Sequence, residues 1–374
     1  MRLSLNNIIK KSFRLLPIKN TKILFLSHYG NIYGCNPKYI SEYIVKSDMK
    51  YDCVWAFVNP DKYDIRGIRK VKYLSLRFFY ELSTCRVFIT NFRIGNIFIK
   101  RKGQKYIMTW HSSLRLKKIE KDAERLLPIN YINEAKKDSL NIDLLISGCQ
   151  YSRDIFRRAF YYNGIILESG TPRIDILFNI SKIEKNKIRS SLNIREGANV
   201  LLYAPTFREY SDIDVCSIDL QKISDILKER TGGEWVVLAR LHPHNRDKKL
   251  FSENNRLIDV TQYDDCQEII AISDALVTDY SSLMFDYIYT DKPCFLYVPD
   301  LVYYTSQERE LYFNIKKLPF PIARNNNELC DNIRCFNIKQ YKKNVNLFMQ
   351  SIGSYEDGMA TERIFNQIKQ WVKL

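Results

Sequence analysis

Short apolar runs closed by polar loops recur along this chain, and between them apolar residues repeat at helical spacing. In the first half the runs Lys22–Ser27, Cys53–Val58, Val71–Leu74, Val87–Thr90, Tyr106–Trp110 and Leu144–Ser147 predict strands, and Lys38–Val45 predicts a helix. In the second half Asn199–Ala204, Trp235–Leu241, Arg256–Val260, Ala275–Thr278 and Pro293–Val298 predict strands, with helices over Ile218–Leu227 and Gln267–Ile272. Runs this continuous are apolar on both faces, which fits parallel sheets covered by helices on either side. Glu168–Leu177, with Gly170 and Pro172, reads as a turn able to carry the chain between domains. The polar stretch 179–198 sets the boundary at about residue 185. The expected organisation is a basic amphipathic segment over 1–20, domains over 21–185 and 186–350, and a C-terminal helical segment over 351–374.

In doubly wound sheets the functional loops follow the carboxyl ends of the strands. By that rule the loops of interest carry His28, then Asn91 after Thr90, then His111 within Thr109-Trp110-His111-Ser112-Ser113. Arg115, Lys117 and Lys118 follow closely, and a histidine beside cations suits proton transfer or phosphate binding. In the second half the strand ends deliver Arg208, His242 and the hydroxyl-rich hinge Thr278, Ser281 and Ser282. Taken by itself the hinge is an ordinary helix cap, as Ser and Asp provide in most proteins. Beside an arginine and a histidine at equivalent strand ends it becomes a seat for a diphosphate, with Arg208 making a bidentate contact.

Charge adds a partner class. The 374 residues include 58 Lys and Arg against 42 Asp and Glu, a net charge of +16, which calls for an anionic partner. Residues 1–20 set Leu3, Leu5, Ile8, Ile9 and Phe13 among Arg2, Lys10, Lys11, Arg14 and Lys19 with no acid. The segment suits an anionic membrane surface or, equally, packing as a basic helix on its own domain. It lacks the apolar stretch of a signal peptide, and no run approaches the roughly 20 residues that span a bilayer. Nine scattered cysteines without Cys-x-x-Cys predict reduced thiols in the cytoplasm, and no metal site is expected. The absence of dinucleotide, P-loop and Gly-x-Ser-x-Gly motifs counts against the corresponding oxidoreductases, ATPases and hydrolases. No nucleic-acid-binding module stands out, so no specific nucleic acid is expected.

Tyr33-Gly34 with Asn36-Pro37-Lys38-Tyr39, Ile89-Thr90-Asn91, Trp110-His111, Gly170-Thr171-Pro172-Arg173, Tyr203-Ala204-Pro205-Thr206-Phe207-Arg208, Arg240-Leu241-His242-Pro243, Asp274 through Asp286 and Asp357-Gly358-Met359-Ala360-Thr361-Glu362-Arg363 occur in order. Together they make the chain resemble the CDP-glycerol glycerophosphotransferase family, which primes and polymerises teichoic acids. The resemblance implies an α/β GT-B fold, two facing Rossmann-like doubly wound domains with the active site in the interdomain cleft. It implies CDP-glycerol, or a related CDP-polyol, as donor and no required cofactor. The acceptor would be a hydroxyl of a lipid-linked glycan or phosphate-containing polymer, with release of CMP at the inner face of the cell membrane. CDP-ribitol as donor, or a nucleotide-sugar used on the same fold, are the alternatives. By the same resemblance His111 is the candidate base. His242, Arg208, Thr278, Ser281 and Ser282 hold the diphosphate, and Asp286 orients His242 or a ligand hydroxyl. His28, Asn91, Lys117 and Lys118 are acceptor-side candidates. One departure concerns the loop after Trp110-His111, where Ser112 and Leu114 stand in place of the family's Gly and Pro.

Overall fold

Ile23, Leu24, Phe25 and Leu26 are all fully buried, and they divide by strand alternation between two separate cores. Leu24 and Leu26 join Val54, Phe88 and Met108 on one face, whereas Ile23 and Phe25 join Trp55, Ile89 and Ile107 on the other. This two-sided burial is what the uninterrupted apolar run demands, and it makes β1 (Lys19–Leu26) an interior strand of a parallel sheet. The structure, a computed structural model, describes residues 12–47, 50–206, 218–241, 257–305 and 310–372.

The chain divides into two compact units, Met1–Ser113 with Ile119–Asp175 and Ser354–Leu374, and Leu114–Lys118 with Ile176–Gly353. The first unit contains β1, β2 (Asp52–Phe57), β3 (Arg69–Lys72), β4 (Cys85–Thr90), β5 (Lys105–Met108), β6 (Leu144–Ile146) and β7 (Ile165–Leu167). Their order is β3-β2-β1-β4-β5-β6-β7, every pair parallel. The second unit contains β8 (Asn199–Ala204), β9 (Trp235–Ala239), β10 (Leu257–Asp259), β11 (Ala275–Thr278), β12 (Cys294–Tyr297) and β13 (Ile322–Ala323). These run in the order β10-β9-β8-β11-β12-β13, again all parallel.

The unit boundary differs from the sequence expectation. Pro172 opens a helix, Pro172–Asn179, where a turn was expected, and the chain changes unit at Asp175 within it rather than near 185. Proline at a helix start supplies a preset φ and lacks only an N–H that would have no intrahelical partner. The C-terminal segment is part of the first unit. Its helix Ala360–Trp371 buries Ile364, Phe365 and Ile368 in the β1 core, and Asp175 accepts from the Ala360 and Thr361 amides at 3.1 and 2.7 Å. No helix among the described residues is long and apolar enough to cross a membrane.

Candidate active site

Each sheet reverses its winding once, between β1 and β4 in the first unit and between β8 and β11 in the second. Those are the points at which doubly wound sheets place ligands. In the first unit Ser27-His28 follows β1 and Asn91 follows β4 at this point, with Thr109-Trp110-His111 after neighbouring β5.

Asn91 joins the two histidine loops. Its Oδ1 accepts from the His28 amide at 3.0 Å, and its carbonyl pairs with His111 Nδ1 at 3.1 Å. The His28 and His111 rings lie 6.2 Å apart between centroids. A carbonyl can only accept, so Nδ1 of His111 carries the proton, and in the neutral ring Nε2 is left with its lone pair. Asn91 itself is fully buried, which makes it a bracket for these loops rather than a surface an acceptor can touch. Its Nδ2 and the Thr90 hydroxyl have no hydrogen-bond partner among the described residues.

Both loops hold strained backbone. His28, Tyr29 and Trp110 have φ of 43°, 56° and 52°, each costing about 1–3 kcal/mol for residues with a side chain. The β5 strand therefore stops at Met108 rather than running through Trp110. Asn36, which sequence reasoning left outside the site, holds this turn: its Nδ2 donates to the Thr109 and Trp110 carbonyls at 3.3 and 3.0 Å. Its place in the Asn36-Pro37 motif was the available signal.

In the second unit the carboxyl ends of β8 and β11 are tied by Asp279, which accepts from the Thr206 amide at 2.9 and 3.0 Å and from its hydroxyl at 2.6 Å. The three hinge hydroxyls are not equivalent. Thr278 Oγ1 is buried and donates to the Ala204 carbonyl at 2.7 Å, so its proton is committed to the sheet. Ser281 Oγ accepts from the Leu283 amide at 3.2 Å, and Ser282 Oγ accepts from the Leu116 amide at 3.4 Å. As acceptors in these bonds, both serines keep their protons for another partner. The helix they introduce is only Leu283–Tyr287, and the Leu283, Met284 and Phe285 amides are already engaged by Ser281 and Ser282. Donation at this turn thus rests on side-chain hydroxyls more than on the free helix amides expected from the sequence. Asp286 is fully buried and accepts from Gln267 Nε2 at 3.1 Å.

Lys117 and Lys118 belong to the second unit, not to the first with His111. Leu114 and Leu116 are buried while Lys117 and Lys118 stay partly exposed, and the segment pairs antiparallel with Leu311. The Lys118 amide donates to Glu310 O at 2.9 Å, the Tyr312 amide donates to Leu116 O at 2.7 Å, and Lys118 Nζ pairs with the Glu310 carboxylate at 2.5 Å. Arg208 and His242 lie outside the described residues. The chain leading to His242 is fixed, because the Arg240 guanidinium donates to Val260 O at 2.9 Å and Tyr263 O at 2.6 Å. Among the described residues no group of His, Cys, Asp or Glu could hold a metal ion.

Two parallel sheets, each wound about a switch point lined with polar side chains, define the GT-B class of transferase fold. Within that class the chain belongs to the family described as CDP-Glycerol:Poly(glycerophosphate) glycerophosphotransferase, which matches residues 8–370. It is 32% identical over 391 residues to the teichoic acid glycerol-phosphate transferase of Staphylococcus aureus (strain NCTC 8325 / PS 47), covering 97% of this chain and 99% of that protein. It is 31% identical over 391 residues to the teichoic acid poly(glycerol phosphate) polymerase of Bacillus subtilis (strain 168), covering 97% of this chain but only 51% of that polymerase. The solved wall teichoic acid polymerase TagF superposes with a TM-score of 0.85 at 31% identity, covering 99% of this chain and 94% of that one. A TagF variant soaked with CDPG superposes with a TM-score of 0.86 at 31% identity, covering 98% of this chain and 94% of that one.

Proposed function

We propose that the protein transfers glycerol phosphate from CDP-glycerol to a hydroxyl of a teichoic-acid-type polymer or its lipid-linked precursor, releasing CMP. The observation that carries this reading is the family match along residues 8–370. In the proposed mechanism Nε2 of His111 takes the proton of the acceptor hydroxyl as that oxygen attacks the β-phosphorus of the donor. The bond from that phosphorus to the bridging oxygen breaks, and CMP departs with the electron pair. Ser281 and Ser282 donate to the diphosphate, and Arg208 and His242 are proposed to neutralise the charge growing on CMP. Positioning and charge stabilisation do most of the work in such transfers, which suits a site of hydroxyls, histidines and an arginine. Asp286, held by Gln267, is proposed to orient a neighbouring group on the donor side.

An anionic membrane surface is the proposed seat of the acceptor, with the protein peripheral on the cytoplasmic side. The first unit supports this with exposed Leu15 (86%), Ile99 (64%) and Leu140 (84%). Arg14 donates to the Ile99 carbonyl at 2.7 Å and Asn141 to the Phe98 carbonyl at 3.3 Å, which draws the three together beside Lys100, Arg101 and Lys102. The remainder of the basic segment, residues 1–11, lies outside the described residues. Ribitol phosphate is the second reading, because the teichoic acid ribitol-phosphate primase of Bacillus spizizenii is 27% identical over 385 residues. The test is incubation of the purified protein with CDP-glycerol or CDP-ribitol and a lipid-linked glycerol-phosphate primer, with products weighed by mass spectrometry. Extension by glycerol-phosphate units supports the proposal, and extension only from CDP-ribitol replaces it with the second reading.

A further inference from the structure

We propose that Glu356 and Ser113 position the His111 loop for catalysis, an inference that rests on His111 being the base. Ser113 stands two residues after His111 and is buried. Its hydroxyl donates to Glu356 Oε1 at 2.6 Å, and its carbonyl accepts from Ser152 Oγ at 2.7 Å. The same Glu356 Oε1 accepts from Thr171 Oγ1 at 2.7 Å, and Oε2 accepts from the Thr171 amide at 2.9 Å. Glu356 is itself fixed at the backbone, since the Tyr355 amide donates to Gly148 O at 2.9 Å and Cys149 pairs with Ser354.

Ser113, Gly148 and Thr171 lie in the loops that follow β5, β6 and β7, so the Tyr355-Glu356 pair gathers three adjacent strand ends, the Glu356 side chain holding Ser113 and Thr171 and the Tyr355 amide holding Gly148. Two glycines make room for the carboxylate. A Cβ at Gly148 would sit 2.2 Å from Ser113 Oγ and 2.3 Å from Glu356 Oε1. One at Gly170, where φ is +79°, would sit 2.8 Å from Glu356 Oε2. The carboxylate holds the far side of the turn whose near side Asn36 and Asn91 hold. The Ser113–Glu356 hydrogen bond gives the loop a fixed course two residues beyond His111.

A displacement of about 1 Å at a reacting group lowers turnover by about 100-fold. Ser113→Ala removes the tie to the loop and leaves both Thr171 bonds to Glu356 in place. The experiment measures CMP release and the donor KM for Ser113→Ala, Ser113→Thr, Glu356→Gln and His111→Asn, and for Ser113→Ala within His111→Asn. The expected result is a 10- to 100-fold lower kcat in Ser113→Ala at unchanged donor KM, recovered in Ser113→Thr, with no further loss in the double variant. A merely structural serine would lower the residual turnover of His111→Asn as well, and that result overturns the proposal. Wild-type kcat in both Ser113→Ala and Glu356→Gln, beside a depleted His111→Asn, overturns the positioning role and leaves the base standing. Wild-type kcat in His111→Asn overturns the base and this inference together.

Discussion

His111→Asn separates chemistry from folding unusually well. The asparagine amide places an N–H where Nδ1 now donates to the Asn91 carbonyl at 3.1 Å, while nothing takes the place of Nε2. The ring is exposed and rests against Trp110 at 4.4 Å between centroids, so its removal creates no core cavity. Substitutions that spare buried packing change stability by about 0.5 kcal/mol. In a unit of this size that is a shift of about 1–2 °C in Tm. Loss of a general base costs about 100- to 10,000-fold in rate, equivalent to about 2.7–5.4 kcal/mol in the barrier. The assay is CMP release under saturating donor and acceptor, paired with a thermal melt on the same preparation. Turnover should fall by at least about 100-fold at nearly constant Tm. Turnover within threefold of wild type would refute the assignment of the base. A collapse of Tm would show that the ring serves the fold and that the lone-pair argument is irrelevant.

The inequivalent hinge hydroxyls predict that Ser281→Ala and Ser282→Ala each raise the KM for CDP-glycerol about 10- to 100-fold, the value of a hydrogen bond to a charged group. Thr278→Val, by contrast, should lose about 1 kcal/mol of stability with KM unchanged, and the reverse pattern would exchange their roles. Glu356 gives a pH signature, because burial, with Asp175 nearby and Arg363 opposing, pushes its carboxyl from 4.5 up to about 8 despite three hydrogen-bond donors. A raised acid binds more protons folded than unfolded, so stability is full below about pH 4.5 and declines as pH rises to about 8. Asp138, pushed to about 6 by burial, acts in the same direction. Glu356→Gln should therefore remove its share of the decline in denaturant midpoint between about pH 4.5 and 8, leaving only the share of Asp138 below about pH 6, and an unchanged slope between pH 6 and 8 would count against the shift. For the surface patch, Leu15→Asp with Ile99→Asp should weaken binding to phosphatidylglycerol vesicles at least about 10-fold, since each buried leucine-sized side chain is worth about 1.5–3 kcal/mol. Equal binding would move the contact elsewhere.

The strands were legible where burial on both faces left an unbroken apolar run, as in Ile23–Leu26 and Leu201–Tyr203. Two edge strands were not. Ile165–Leu167 is partly exposed and Ile322–Ala323 has only two residues, so neither carries a pattern long enough to separate it from a loop. The unit change at Asp175 falls inside Glu168–Leu177, the stretch read as carrying the chain between domains, and it was the polar run 179–198 that drew the expected boundary on to about 185. Asn91 was visible as a strand-end residue, yet its role as a bracket depends on which side chain reaches which backbone. Lys117 and Lys118 were assigned by proximity in sequence to His111, whereas the burial of Leu114 and Leu116 carries them into the other unit. Glu356 and Ser113 are 243 positions apart, beyond the reach of any local pattern.

The central claim is tested most directly by the nucleotide that leaves the donor. With CDP-glycerol and a glycerol-phosphate-primed acceptor, transfer of glycerol phosphate must release CMP in step with growth of the polymer. Stoichiometric CMP with products spaced by one glycerol phosphate is the predicted result. Release of a nucleoside diphosphate from a nucleotide-sugar, with no CMP from CDP-glycerol, would contradict it.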